Sequence, residues 1–212
     1  MAGAAMRFQT MRLSKSSQGQ SLVETALMLP LLLMLVLNVV NLGYFFAVVV
    51  NLSGGSRTST IYAIEGGATP AAGAIPSSGG SSPTTNTGSV TYLAFQDLTG
   101  AVWNPTAASV QVCSQANIDS SGSGVNTASG ALRTNCETCT SSGCGSAGNG
   151  SPIPSADPEA PLFVTNRVDI QYTFPPLIRG KIFNIPMQAF TGICGSSGNC
   201  IFTRHVEMRA MN

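Results

Sequence analysis

The residues able to do chemistry fall into three small groups: six cysteines, one histidine, and a carboxylate set apart from the rest, Glu24. Cys136 and Cys139 form a C-x-x-C pair with Cys144 close behind and Cys113 upstream. A thioredoxin-like pair needs a helix N-terminus to lower its thiol pKa, and the Ser141-Ser142-Gly143 that follows predicts a loop. Cys113, Cys136, Cys139 and Cys144 could supply four thiolates to zinc, but an even cysteine set on the exported side of a membrane reads as disulfides. Cys194 and Cys200 flank Gly195-Ser196-Ser197-Gly198-Asn199 and are expected to pair across that tip. His205 has no second histidine to share a metal with. It falls on the polar side of an alternating segment, as a solvated or ion-paired residue would. Asp157 and Glu159 lie among prolines, and Asp169 alternates with apolar residues. No acid–base pair stands out, so no catalytic residue, metal or cofactor is assigned and the chain is not expected to be an enzyme. Gly143, Gly145 and Gly148 match G-x-G-x-x-G without a preceding strand or βαβ unit, and the dinucleotide reading fails on that context.

Glu24 differs because of what surrounds it. Arg7, Arg12 and Lys15 precede it, no acid does, and an apolar run follows. Residues 26–50 of a helix rising about 1.5 Å per residue span roughly 37 Å, more than the roughly 30 Å hydrocarbon core. A cleaved signal peptide would be shorter and end in small residues, whereas this run passes through Tyr44-Phe45-Phe46-Ala47-Val48-Val49. The basic leader places the N-terminus in the cytoplasm and the rest outside. All six cysteines lie on that outer side. A carboxylate at a membrane edge wants a cation, a proton or the headgroup region. Cutting the Gly19–Gln20 bond would supply a cation, because a new α-amino group has a pKa of about 8.

Asn38 and Asn41 are the main polar interruptions. They share a helix face and could make helix–helix contacts or meet water near the outer end. Pro30 removes one backbone hydrogen bond, so a kink or loosened turn is expected over residues 26–30.

The string Gly19-Gln20-Ser21-Leu22-Val23-Glu24-Thr25-Ala26-Leu27-Met28-Leu29-Pro30 resembles the opening of TadE-like pseudopilins of the bacterial Tad (Flp, type IVb) pilus system. Thr25 stands where an aromatic residue is common in that family. The resemblance implies cleavage by a prepilin peptidase after Gly19. It also implies that Glu24 pairs with the new N-terminus of a neighbouring subunit during assembly. Tyr172-Thr173-Phe174-Pro175-Pro176-Leu177 and Val206-Glu207-Met208-Arg209 look like C-terminal parts of the same family. Implied partners are membrane lipid, other pilin-like subunits, the peptidase and the pilus assembly platform. The implied location is the bacterial inner membrane, single-pass, with the C-terminal part extracytoplasmic.

Four regions are expected: a leader (1–19), a transmembrane and assembly helix (20–65), a flexible linker (66–88) and an exported α+β head (89–212). Residues 22–50 are taken to hold the chain in the membrane. Adjacent glycines cost roughly 1 kcal/mol each inside a helix, so Ser53-Gly54-Gly55-Ser56 predicts a hinge. The Gly/Ser/Thr/Pro composition of 66–88 cannot build a core. Residues 89–103 favour a short helix ending near Gly100, with Trp103 in the core. Ser109–Cys113 reads as a short strand, and 114–161 as a disulfide-pinned loop. Val164, Asn166, Val168, Ile170, Tyr172 and Phe174 alternate with polar residues, as do Phe202, Val206, Met208 and Ala210. Phe183, Ile185, Met187 and Ala189 alternate in a third strand. The fold class is α+β: a long N-terminal helix covering one face of a small antiparallel sheet, in a pilin-like arrangement.

Charged residues make up 9% of the 212-residue chain, against roughly a quarter in ordinary domains. The net charge is +1, and no basic face is available for nucleic acid. Two other readings remain open at this level: an anchored envelope protein outside any pilus, and an exported thiol or metal protein.

Overall fold

A computed structural model describes residues 17–65, 83–118, 130–145, 148–149, 163–178 and 200–210. Most of the leader, most of the linker, the strand expected over 183–189, Cys194, Asp157 and Glu159 lie outside these residues.

One helix, α1 (Ser17–Glu65), runs the length of the molecule. It includes Pro30 and passes unbroken through Ser53-Gly54-Gly55-Ser56. The expected hinge is therefore absent, and packing gives the reason. A Cβ on Gly55 would sit 3.4 Å from Asp97 Cβ and 3.5 Å from Ile170 Cδ1. Those are ordinary van der Waals distances: Gly55 is buried against a second helix and the sheet, and that packing offsets its poor helix propensity.

The second helix, α2 (Val90–Thr99), is capped by Ser89, whose Oγ accepts from the Tyr92 N–H at 3.1 Å. It ends at Gly100, as its pattern predicts, and buries Val90, Ala94, Phe95 and Leu98. A 3-10 turn (Pro105–Ala107) leads into β1 (Ala108–Ile118). Then follow β2 (Ala131–Thr140), β3 (Gly143–Cys144), β4 (Gly148–Asn149), β5 (Thr165–Phe174) and β6 (Cys200–Arg209). The sheet is antiparallel, ordered β3-β2-β1-β5-β6, with β4 also pairing with β2.

Among its described residues, the region expected to be loop over 114–161 is thus largely strand. Ala131–Thr140 has few apolar residues to betray it. It is held by full register with β1, in which Cys113 faces Cys136. Trp103 also departs from expectation, being 81% exposed rather than core.

The α+β arrangement is the expected one. Val168, Ile170, Tyr172 and Phe174 of β5 are fully buried on the sheet face that packs against α1, and Val110 and Val112 of β1 are fully buried on the same face, where α2 meets β1. Val48 and Leu52 of α1 meet them, each contributing about 2 kcal/mol by burial. Rings from α1 and the sheet interlock near one end: Tyr44–Phe174 at 5.2 Å, Phe45–Phe174 at 5.8 Å and Phe45–Phe202 at 4.8 Å. Edge and tilted geometries of this kind suit the aromatic quadrupole. The head is fastened to α1 at the other end by hydrogen bonds. Thr60 Oγ1 donates to the Val206 carbonyl at 3.2 Å, and Asn166 Nδ2 to the Ala63 carbonyl at 3.2 Å.

Candidate functional site

The sheet and α2 cover only the later half of α1. Buried positions on α1 recur at Asn41, Val48, Leu52, Gly55, Ser56, Ser59, Thr60 and Ala63, the stripe of a helix packed on one side. Before Asn41 the helix projects with its side chains exposed or half-buried; Leu22 is 73% exposed. Residues 21–40 rise about 30 Å at about 1.5 Å each, which matches a hydrocarbon core. The helix is long and apolar enough to cross a membrane.

Gly19, Gln20 and Glu24 lie in the opening turns of this projecting part. Gly19 is open: nothing stands within 4 Å of where a Cβ would be. Glu24 is exposed, and among the described residues no cation reaches it. It stands five positions after Gly19, about 7.5 Å along the axis. The neighbouring Thr25 turns inward, its Oγ1 donating to the Ser21 carbonyl at 2.9 Å.

The two asparagines part company. Asn38 is half-buried and donates from Nδ2 to the Met34 carbonyl at 2.8 Å on its own helix. Asn41 is buried and grips a segment of the head. Its Nδ2 donates to the Ile178 carbonyl at 3.1 Å, and its Oδ1 accepts from the Ile178 N–H at 3.0 Å. Its amide is committed inside the chain rather than presented to a neighbouring helix. Its spacing from Asn38 hints at a shared face, but nothing in the sequence points to Ile178 as the partner.

The described cysteines are oxidised. Cys113 bonds Cys136 across β1 and β2, and Cys139 bonds Cys144 across β2 and β3, each between residues directly opposite in the ladder. Cys200 is also disulfide-bonded; the pairing expected with Cys194 lies outside the described residues. Glu137, Cys139 and Cys144 bring possible ligand atoms within 4.8 Å of one another. Both sulfurs there are already bonded to each other and have no thiolate to donate to a metal.

On the sheet face away from α1, Asp169 departs from the exposed position its alternation suggests. It is buried, and the Arg167 guanidinium donates to its carboxylate at 2.8–3.0 Å. His205 Nδ1 lies 3.9 Å from the same carboxylate, with its side chain 59% exposed. A cleft of about 290 Å³ opens over this group, lined also by Gln111, Gln171 and Thr203. Among the described residues it holds no nucleophile set against a base. Tyr172 is the strongly perturbed phenol of the head. Burial, with Tyr44 beside it, pushes it from 10.0 up to about 12. It is a packed core group rather than an acid or base poised near neutrality.

The geometry thus leaves the projecting helix as the part of the molecule with unspent potential. Residues 19–59 match the model of the family described as TadE-like protein. The chain carries a TadE-like segment. No curated protein and no solved structure matches the chain. The TadE-like segment begins at the glycine before the apolar run and extends through the docked half of α1 as far as Ser59. It supports a Tad pilus-associated protein with a membrane-anchoring helix. The strands that resemble the family's C-terminal part lie outside the matched residues.

Proposed function

We propose that this protein is a minor pilin-like subunit, a pseudopilin, acting in biogenesis of a Tad/Flp-type pilus. Its leader is removed by a prepilin peptidase after Gly19. The N-terminus faces the cytoplasm, residues 21–40 cross the inner membrane, and the head lies outside. The role is one of assembly, with no enzymatic activity. The observation that carries this reading is Glu24 at a fixed five-residue distance from Gly19, on a bare apolar helix inside the TadE-like segment. Cleavage would leave the α-amino group of Gln20 cationic at neutral pH. A neighbouring subunit's Glu24 would then find its counter-charge in a medium where an unpaired carboxylate is costly. Pilin-like subunits, the peptidase and the assembly platform are the partners this requires.

Mass spectrometry of the protein recovered from membranes tests the first step, with Gln20 as the expected mature N-terminus. An intact leader in cells with an active prepilin peptidase would sink the processing claim and favour an anchored envelope protein. Glu24→Ala is expected to be cleaved normally and to fail in assembly, read as loss of pili with the mature subunit retained in the membrane.

A further inference from the structure

Tyr44 lies four residues, about 6 Å, beyond the end of the 21–40 stretch that matches the hydrocarbon thickness. At the Tyr44 level the head meets α1 through two connecting segments. The segment after α2 carries Trp103, whose backbone N–H donates to Tyr44 Oη at 3.0 Å and whose side chain is 81% exposed. The segment after β5 carries Leu177, 47% exposed, and Ile178, whose N–H and carbonyl are both paired by buried Asn41. Irregular backbone can enter lipid only when protein satisfies its polar groups, and Asn41 does that for Ile178. Indole and phenol rings favour the membrane–water interface, where an apolar body and a polar tip are both accommodated. The far end of the head differs. There the exposed Phe163 ring is met by the Arg209 guanidinium, 4.8 Å from its centroid.

The geometry points to a lipid-docking collar: Trp103, Tyr44 and Leu177, at the base of the head, seat in the interfacial layer of the bilayer that α1 crosses. The partner is a glycerophospholipid surface at the level of its ester carbonyls, continuous with the lipid around residues 21–40. The collar rests on the membrane reading of α1 and adds a second contact to it. It sets how deep and at what tilt the head sits, and it resists withdrawal of the subunit from the bilayer until those side chains are released.

Trp103 is the single tryptophan of the chain and reports on itself. The full chain is reconstituted into phosphatidylcholine vesicles, recovered by flotation, and its emission recorded with brominated lipids and with aqueous iodide. The expected result is emission shifted to the blue and protected from iodide. Lipids brominated near the carbonyl should remove most of its intensity, and lipids brominated near the chain ends far less. A chain that floats with the vesicles while Trp103 stays open to iodide and insensitive to every bromolipid overturns the collar and leaves the anchor standing. Strongest quenching by the deepest bromines overturns the interfacial level. A chain that does not float overturns the anchor and the collar together.

Discussion

Residues 21–40 of α1 touch almost nothing, whereas residues 41–63 are covered along one side by α2 and the sheet. The first half is almost continuously apolar, while the second carries Asn51, Ser53, Ser56, Arg57, Thr58, Ser59 and Thr60, so hydropathy, side-chain size and hydroxyl chemistry all separate them. The first half is rich in Leu and bulky throughout, giving a smooth surface for lipid chains. The second places Gly55, Ser56, Ser59, Thr60 and Ala63 on its buried side. These small residues let α2 and the sheet come close, and the hydroxyls find carbonyls: Thr60 Oγ1 bonds Ser56 at 2.7 Å as well as Val206. Within one continuous helix, the change from bulky apolar residues to small and hydroxylated ones marks where other elements can approach the backbone.

Substitutions on either side of Asn41 should break this contrast if it is mistaken. Phe174→Ala, which empties the space between Tyr44, Phe45 and Phe202, is expected to cost about 3–5 kcal/mol. Chemical unfolding of the full chain in detergent, followed by near-ultraviolet circular dichroism, would measure it. Next comes pH. The Tyr172 phenol titrates at 10.0 when unfolded and at about 12 when folded, so the unfolded state releases its proton first. Stability present below pH 10.0 is therefore lost as pH rises through about 12. In ultraviolet titration, Tyr172→Phe should remove the latest of the tyrosine transitions and flatten that slope. Asn41→Ala removes the two hydrogen bonds between its amide and Ile178, a loss of about 2 kcal/mol, and should expose the peptide bonds near Ile178 to protease. Smallest of all, Leu33→Ala in the bare half should move head stability by less than about 0.5 kcal/mol, since nothing in the head depends on it. A large effect there would mean that residues 21–40 are packed against protein after all.

What is legible in the chain follows the strength of its periodic patterns. The alternation from Val164 to Phe174 announces β5 because one side has to be dry, and the run from Ala26 announces a helix long and apolar enough to cross a membrane. Ala131–Thr140 gives no such signal, because only Ala131 and Leu132 are aliphatic and both are exposed. Its place is set by hydrogen bonds to β1 and by two disulfides, which are long-range relations. Gly54-Gly55 suggests a hinge when propensity is weighed without a neighbour; Ile170, more than a hundred positions away, reverses that balance. Trp103 reads as core because indoles usually are, and its exposure depends on where the loop after α2 crosses α1. For Gly19 and Glu24 what is legible is a spacing along one helix, and the structure keeps both exposed in the opening turns of α1.

The bond from Thr60 to Val206 joins residues 146 apart. On the proposed topology, with the chain delivered across a membrane anchor first, the docking side of α1 emerges early and the strand that completes its cover emerges late. For most of that passage Phe45 and Thr60 would lack part of their cover. A chain truncated before Cys200 would keep Gly19, Glu24, the projecting part of α1 and most of its sheet, yet still lack Phe202 and Val206. Such a chain would display its incompleteness on the helix itself. The arrival of β6 is then the event that separates a finished subunit from an unfinished one.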